Sequence, residues 1–452
     1  MKGLLRYLIC TSLVSLAGMP VWAQADNSNT VDTEAARIGE DRMLTPPPVS
    51  GQAYPVALDA DEHTNALRYG FIFSPAYSDN VLGLTTGHPV SDMSYSLWPT
   101  IGLDAATNRL HWDVAYAPGF TFYQRTSSRN EADQNANLSL QYRLSPHVTL
   151  SARDTFQRSS NVFNQPSFGG QVFSGGVQGP NDSVIPPLAD RLANYGNVGI
   201  TYQYARNDMI GAAGSFSNLH YPDPSQVPGL FDSSSTAGSA FYTHRITQQD
   251  YVGVAYQYAR LMSYPGGLDA ETQTHSIFLF YTVYPNRRFS LSFFGGPQQY
   301  DTVQPDVPSL GYPALSLQRW SPAGGFSADW EGHFVSAALG YLHEVGESGG
   351  LVGATKADNA SASIRLQLTR YLIASVTGSY ANNQVIGFGE GLNGHTASGV
   401  VGVTRQFGNH FAAQLGYMRV HQTYNAPAVA GAPDINREFV SFSYMFARPL
   451  GR

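Results

Sequence analysis

The chain has 452 residues, of which 42% are hydrophobic, 12% aromatic and only 13% charged, with 45 glycines and a formal net charge of −7 at pH 7. Soluble domains carry about 25% charged residues, so roughly half of the expected surface charge is missing. The negative net charge argues against nucleic-acid binding, and beyond residue 25 no run of about 18 apolar residues could form a membrane-spanning helix. The composition suits a chain that an apolar medium surrounds and that crosses this medium with strands.

Residues 1–25 have the organisation of a cleavable signal peptide. Lys2 and Arg6 form a basic start, an apolar stretch follows, and Ala23-Gln24-Ala25 is a small-residue cleavage site. We predict that this segment is removed on export. The single cysteine, Cys10, lies within it, so the exported chain would have neither a disulfide nor a thiolate metal site.

Residues 26–65 are polar and rich in turn-forming residues, and they show no helical or strand periodicity. We predict a flexible periplasmic N-terminal segment. It is too short to form a folded plug domain of the kind found in energised transporters.

From residue 66 onward the chain shows the alternation of β-strands. In residues 135–144 every second side chain is polar and the others are apolar, which is the strand period. The turn Ser145-Pro146-His147 and a second alternating stretch from Val148 complete a β-hairpin. The same unit recurs to the C-terminus, with tight turns at one end of each strand pair and long Gly/Pro/Ser/Asn-rich loops at the other.

Short turns at one end and long loops at the other are typical of outer-membrane barrels. For residues 66–452 we predict an all-β fold, a transmembrane antiparallel up-and-down β-barrel of about 18 strands, or about 16 if one weak pair is miscounted. The turns would lie in the periplasm and the loops outside the cell. Aromatic residues beside the turns, such as Tyr251, Trp330 and Phe334, are expected at the inner interface of the outer membrane, whose lipid would surround the wall.

The last strand alternates Val440, Phe442, Tyr444 and Phe446 on its outward face. This ending resembles the signal that the barrel assembly machinery recognises, which makes that machinery an expected partner. From about residue 65 to the end, the pattern and the end strands are similar to the β-barrel porin type-2 family of bacterial outer-membrane proteins. The resemblance implies a pore-like function and carries over no functional residues.

Motifs of catalysis or cofactor binding are missing from the sequence. None of the 12 histidines has a serine two residues later, the spacing that a Ser–His site on one strand face would need. The acid/histidine stretch at 59–63 precedes the first strand, and His343-Glu344 is an isolated pair. The glycine-rich string 387–394 lies between strands, so it lacks the helix N-terminus that holds a phosphate. We predict no enzyme activity, no cofactor and no metal.

The strand faces opposite the apolar ones carry polar side chains that need water. The candidates for lining a lumen are Asn137, Gln141, Arg143, Arg153, Asn197, Gln203, Arg365 and Gln367. A barrel of this size has room for an aqueous channel, and such side chains would set its selectivity. Because few strand-centre acids join the arginines, excess acid is expected mostly in loops and the N-terminal segment, and the channel should be weakly anion-selective or nearly neutral. Structural ion pairs within the wall are the alternative role of the arginines.

The longest loop, residues 159–190, occupies the position of the loop that folds into the pore of general porins. By that resemblance it would narrow the channel with Asp182 and Asp190, and a mobile extracellular loop is the alternative. The predicted function is an outer-membrane porin-like channel for passive diffusion of small hydrophilic solutes. A surface adhesin or an export pore, for example for polysaccharide, is the alternative on the same barrel. The sequence leaves association into a homo-oligomer open.

Overall fold

The structure is a computed structural model that describes residues 42–46, 49, 65–83, 88–161, 189–227, 229–286, 288–308, 313–386, 393–424 and 434–450. Within these ranges no helix is long and apolar enough to cross a membrane. Single helical turns of the 3₁₀ type occur at Ser127–Arg129, Pro224–Gln226 and Pro265–Gly267. The strands are β1 (Ala66–Ser78), β2 (Asp92–Ala106), β3 (Leu110–Tyr123), β4 (Glu131–Ser145), β5 (Val148–Ser159), β6 (Arg191–Ala205), β7 (Asp208–His220), β8 (Ser233–Arg245), β9 (Asp250–Ser263), β10 (Ala270–Asn286), β11 (Phe289–Gln304), β12 (Leu315–Glu331), β13 (Val335–Gly346), β14 (Thr355–Thr369), β15 (Leu372–Val385), β16 (Asn393–Phe407), β17 (Phe411–Tyr424) and β18 (Asp434–Pro449).

The strands form one closed antiparallel barrel. Each strand pairs with its sequence neighbour, and β18 pairs back with β1, so the 18-stranded sheet closes on itself. The amide of Leu450 also donates to the carbonyl oxygen of Asn65 at 2.8 Å. The start of β1 and the end of β18 therefore both lie on the side of the short turns. The predicted antiparallel up-and-down fold with 18 strands is confirmed.

The two faces of the wall differ in chemistry. Large apolar side chains cover the outward face, and Leu279 and Leu415 leave 69% and 63% of their surface uncovered by protein. Phe71 and Tyr444 stack across the closing β1–β18 pair with ring centroids 6.1 Å apart. An apolar outward face of this kind suits a hydrocarbon surrounding.

Hydroxyl groups bridge neighbouring strands on the inward face. Ser96 and Thr121 link β2 to β3 with oxygens 2.9 Å apart, and Thr282 and Ser292 link β10 to β11 at 2.7 Å. These pairs satisfy polar groups inside the barrel without a charged partner.

Prolines interrupt the ladders at defined points. The β2–β3 ladder has a gap around Pro99 and Pro118, and the β1–β18 ladder has one around Pro75. Proline cannot donate to a ladder, so such gaps are the direct result of the sequence. Trp98 fills the inside of the first gap, where its ring covers Gly119 so closely that a side chain at that position would clash at 2.4 Å.

Candidate functional site

The strand register places the eight lumen candidates on the inward face. Ser139, Arg153 and Asn197 lie opposite one another on β4, β5 and β6, and Arg365 lies opposite Ser375 on β15. Because side chains alternate along a strand, the remaining candidates on β4, β6 and β14 also point inward: Asn137, Gln141, Arg143, Gln203 and Gln367. All eight share the face opposite the apolar one, but the structure does not gather them into one site.

Arg153 lies near mid-height of the wall, where it interacts electrostatically with Tyr195 on β6. Its side chain is exposed, and it makes no ion pair or hydrogen bond among the described residues. Nine strands further around, the opposite wall carries Ser361, Ser363 and Ser379 on its inward face. Arg365, in contrast, lies nearer the turns, where it interacts electrostatically with Glu331.

Acidic side chains also face inward. They are Asp92, Asp104, Asp113, Glu131, Asp133, Asp329, Glu331 and Glu344. Most of these acids lie near the strand ends, and the strands as a whole carry nearly as many basic as acidic residues. The excess acid therefore lies mostly in loops and the N-terminal segment, as expected. Asp104, for example, pairs with Arg68 at 3.2 Å inside the barrel. Structural ion pairing within the wall thus occurs.

The β13–β14 loop, residues 347–354 and here called loop 7, folds into the barrel. Gly350 accepts a backbone hydrogen bond from Phe231 of the β7–β8 loop at 2.7 Å. The amide of Gly353 donates to the hydroxyl of Ser263 on β9 at 2.9 Å. Loop 7 therefore reaches from β13 and β14 across the inside of the barrel to the wall at β7 to β9.

An apolar cluster holds loop 7 in place. Leu351 is 1% exposed and packs with Tyr221, Val227 and Leu230 of the β7–β8 loop. A fully buried leucine is worth about 1.5–3 kcal/mol. The apolar cluster gives the loop end of the lumen a compact lining.

Within the part of the chain that the structure describes, loop 7 folds into the barrel, and the predicted narrowing loop 159–190 is largely outside that part. Asp182 lies outside the described residues, so the inward folding of residues 162–188 stays a prediction. Asp190 is described at the start of β6, where its amide donates to Gln226 of the β7–β8 loop at 3.2 Å. The apolar pair Leu351-Val352 in a glycine-rich loop is the sequence signal that could have identified loop 7.

Glu347 anchors the start of loop 7 to the wall. One carboxyl oxygen, Oε1, accepts hydrogen bonds from the hydroxyls of Ser217 on β7, at 2.5 Å, and of Ser235 on β8. Burial raises the pKa of Glu347 above its usual range, and the two hydroxyls act in the opposite direction. Glu344 and Tyr195 also interact electrostatically with this carboxyl group.

The docking of loop 7 should depend on pH through Glu347. A carboxyl group whose pKa is higher in the docked than in the free loop takes up a proton on docking. Docking is therefore strongest at low pH and weakens as the pH rises through the raised pKa, so single-channel conductance should increase with pH. Glu347→Gln should stay docked at every pH and lose this dependence. An unchanged pH profile in Glu347→Gln would assign the titration to another group.

Part of the N-terminal segment lies inside the barrel. Arg42 Nη2 donates to Thr149 Oγ1 at 2.6 Å, and the amide of Met43 donates to Gln203 Oε1 at 3.0 Å. Met43 is only 5% exposed. Residues 42–46 thus pack against the inward face, where Gln203 is one of their partners, and the flexibility of the segment as a whole stays a prediction.

Met43 packs against a group of apolar side chains on the inward face. Met209, Phe241, Tyr251, Ala255 and Phe280 from β7 to β10 form a single buried cluster around it. Tyr251 is 2% exposed, so its predicted place at the membrane interface is wrong. Since the inward face is elsewhere rich in serine, threonine and amides, this apolar patch requires a cover, and residues 42–46 supply one.

Removal of residues 27–60 should not unfold the barrel. Among the described residues no strand pairing includes this segment, so the heat-modifiable gel shift of a folded barrel should persist. Conductance should rise because the segment no longer occupies the lumen, and Met43→Asp should have the same effect through burial of a charge in the apolar patch. Met43→Leu, which keeps an apolar side chain of similar volume, is the matched control. Loss of the gel shift would show that the segment is needed for folding.

The described residues contain no cluster of side chains suited to metal binding. No group of three or more histidine, cysteine, aspartate or glutamate side chains there could hold a metal ion. His343, which the sequence analysis named with Glu344, is hydrogen-bonded on the outward face: its Nδ1 lies 2.7 Å from Asp358 Oδ1. The inward face with loop 7 and residues 42–46 is therefore the candidate functional site.

The comparisons with known proteins concern the fold. No family model matches the chain, and no curated protein matches it. Solved structures with a similar fold include OpdK of Pseudomonas aeruginosa with vanillate, which is 9% identical over 84% of this chain and 99% of that chain, with a TM-score of 0.40. OccK2 of Pseudomonas aeruginosa in complex with glucuronate is 8% identical over 84% and 98%, with a TM-score of 0.42. The FrpB iron transporter of Neisseria meningitidis is 9% identical over 83% and 67%, with a TM-score of 0.42.

The closed 18-stranded barrel with its apolar outward face defines the chain as a β-barrel of the outer-membrane class. Membership of the β-barrel porin type-2 family stays a prediction from the end strands.

Proposed function

We propose that the protein is a passive channel of the cell outer membrane for small hydrophilic solutes. One observation carries this proposal: polar inward side chains near mid-height, including Gln141, Ser151, Arg153 and Ser379, are exposed inside a closed wall. Charged and amide groups in that position need water. A barrel of this strand number can hold a water-filled lumen between them.

Loop 7 and residues 42–46 determine how much of this lumen is open. Loop 7 covers the wall at β7 to β9 from the loop end, and residues 42–46 cover β5 to β10 from the turn end. The free path then runs between Arg153 at mid-height of β5 and the facing serines of β14 and β15. We infer that solutes pass beside these two elements and not through them.

A second candidate function rests on the same occupation of the lumen. A barrel whose lumen is filled at both ends also suits an export pore or a surface adhesin that opens only with a partner. The deciding experiment is the conductance of the purified protein in a planar bilayer. A stable open pore supports the passive channel, whereas silence of the native protein together with an open pore after deletion of residues 27–60 supports the gated alternative.

The selectivity of the open pore should be close to neutral. Inward arginines and inward acids are both present, so their fields partly cancel, and salt screens them over about 8 Å at physiological ionic strength. Arg153→Gln should shift the reversal potential in a salt gradient towards cation selectivity, because this unpaired guanidinium carries a permanent charge. Arg365→Gln is the matched control, since its charge lies beside Glu331. An equal response of both variants would remove Arg153 from the solute path.

A further inference from the structure

The wall has an open edge between β12 and β13 on the loop side. β12 spans Leu315–Glu331, but its pairing with β13 ends where Gly324 lies opposite His343. Above that point β12 pairs only with β11 among the described residues. The upper part of β12 therefore has one side without a neighbouring strand.

Pro322 explains why the pairing ends. A continued register would place Val345 opposite Pro322, which has no N–H to donate. Val345 instead donates its N–H to Gln298 Oε1 at 2.8 Å and accepts from Gln298 Nε2 at 3.0 Å. The side-chain amide of Gln298 takes the place of a β12 backbone partner, and the tip of β13 turns inward over β11.

The direction of the unpaired backbone groups follows from the lower ladder. Glu331 donates to Arg288 on the β11 side, and Gly332 donates to Val335 on the β13 side. Backbone groups alternate sides along a strand. The N–H and C=O groups of Ser316, Gln318 and Trp320 therefore point to the open side.

Two tryptophans place this edge relative to the membrane. Trp330 and Trp320 stand on the outward face of β12, with 45% and 67% of their surface exposed. Ten residues of tilted strand separate them by about 25 Å, the height of the apolar band of such barrels. Ser316 and Gln318 thus lie outside the band, whereas Pro322, which lies within it, leaves no N–H group unpaired in lipid.

We propose that the upper edge of β12, residues 315–321, binds an extended peptide segment of another protein at the cell surface by strand addition. A row of alternating backbone donors and acceptors matches another peptide backbone, which acyl chains cannot offer. Arg319 is exposed on the inward side of the edge and has no ion-pair partner within the described ranges. The preferred segment therefore alternates acidic residues, beside Arg319, with apolar residues, beside Trp320.

The experiment measures binding of a labelled synthetic peptide of alternating glutamate and valine to the full-length protein in detergent, by fluorescence anisotropy. Gln318→Pro removes an amide that points to the open side and leaves the β11 ladder intact, and it should weaken binding by about fivefold or more. Gln318→Thr keeps the amide and should bind as the native protein does. Arg319→Glu should reverse the preference to a lysine–valine peptide.

Equal affinity of Gln318→Pro and Gln318→Thr, with the heat-modifiable gel shift of both intact, would overturn the proposal. Failure of the native protein to bind the acidic peptide would overturn it as well. If sedimentation shows a dimer of the native protein that Gln318→Pro abolishes, the occupant is a second copy and the peptide assignment is wrong. None of these measurements depends on whether the barrel conducts.

Discussion

Leu138→Arg is expected to destabilise the inserted barrel by about 2–4 kcal/mol, the cost of an arginine on the lipid face near the bilayer midplane. Leu138 is the central residue of β4, points outward and leaves 39% of its surface uncovered by protein. The new guanidinium would lie far from both interfaces, opposite Asp154 on the same face of β5. Pairing with this carboxylate should keep the loss towards the lower end of this range.

Ser139→Arg is the matched control at the neighbouring position. Ser139 points inward, where it lies opposite Arg153 on β5. An arginine there meets the lumen between Arg153 and Asp113, which lies opposite it on β3. Attraction by this acid partly offsets the repulsion by Arg153, so the cost should be small. Unfolding of both variants from lipid vesicles in urea measures the difference. Equal destabilisation would mean that the face of β4 assigned to lipid is wrong.

Leu351→Asp is expected to release loop 7 and raise single-channel conductance. Truncation of a buried leucine alone costs about 2–5 kcal/mol, and a carboxylate in the cluster with Tyr221, Val227 and Leu230 adds the cost of a buried charge. This total exceeds what the hydrogen bonds of Gly350 and Gly353 can offset at about 0.5–1.5 kcal/mol each. The loop should then leave the lumen.

Leu351→Met is the control for this prediction. It conserves volume and apolar character, so loop 7 should stay docked and conductance should match that of the native protein. Leu351→Asp with native conductance and an intact gel shift would show that the solute path does not pass loop 7. The barrel itself should tolerate both changes, because Leu351 lies outside the strands.

Much of the fold follows from the sequence because strand alternation and turn spacing are local properties. The period-two pattern around Leu138 and the turn at Pro146-His147 predict the β4–β5 hairpin residue by residue. The orientation of Arg153 follows from the same pattern. Since every strand repeats this rule, the strand count and the two faces of the wall could be predicted without any long-range information.

The contents of the lumen depend on long-range contacts, which the local pattern does not encode. The residues near Met43 in sequence do not predict its contacts with β7 to β10, and the sequence of loop 7 does not predict its hydrogen bond with Ser263. One signal was available: Phe278 and Phe280 face inward in a strand whose outward residues Ile277 and Leu279 are apolar too. A strand that is apolar on both faces needs a cover on the lumen side, and the sequence could predict this need but not which segment meets it.

The closure of the barrel between its first and last strands has a kinetic consequence. The β1–β18 ladder joins residues from opposite ends of the chain, so its loop-closure entropy is the largest of any pairing and its contacts should form late. Until β18 arrives, β1 and β17 are both exposed edges that can pair with the wrong chain. A chain that stops before Asp434 should therefore accumulate as an unclosed, protease-sensitive sheet, and time-resolved proteolysis should show protection of β1 appearing together with that of β18.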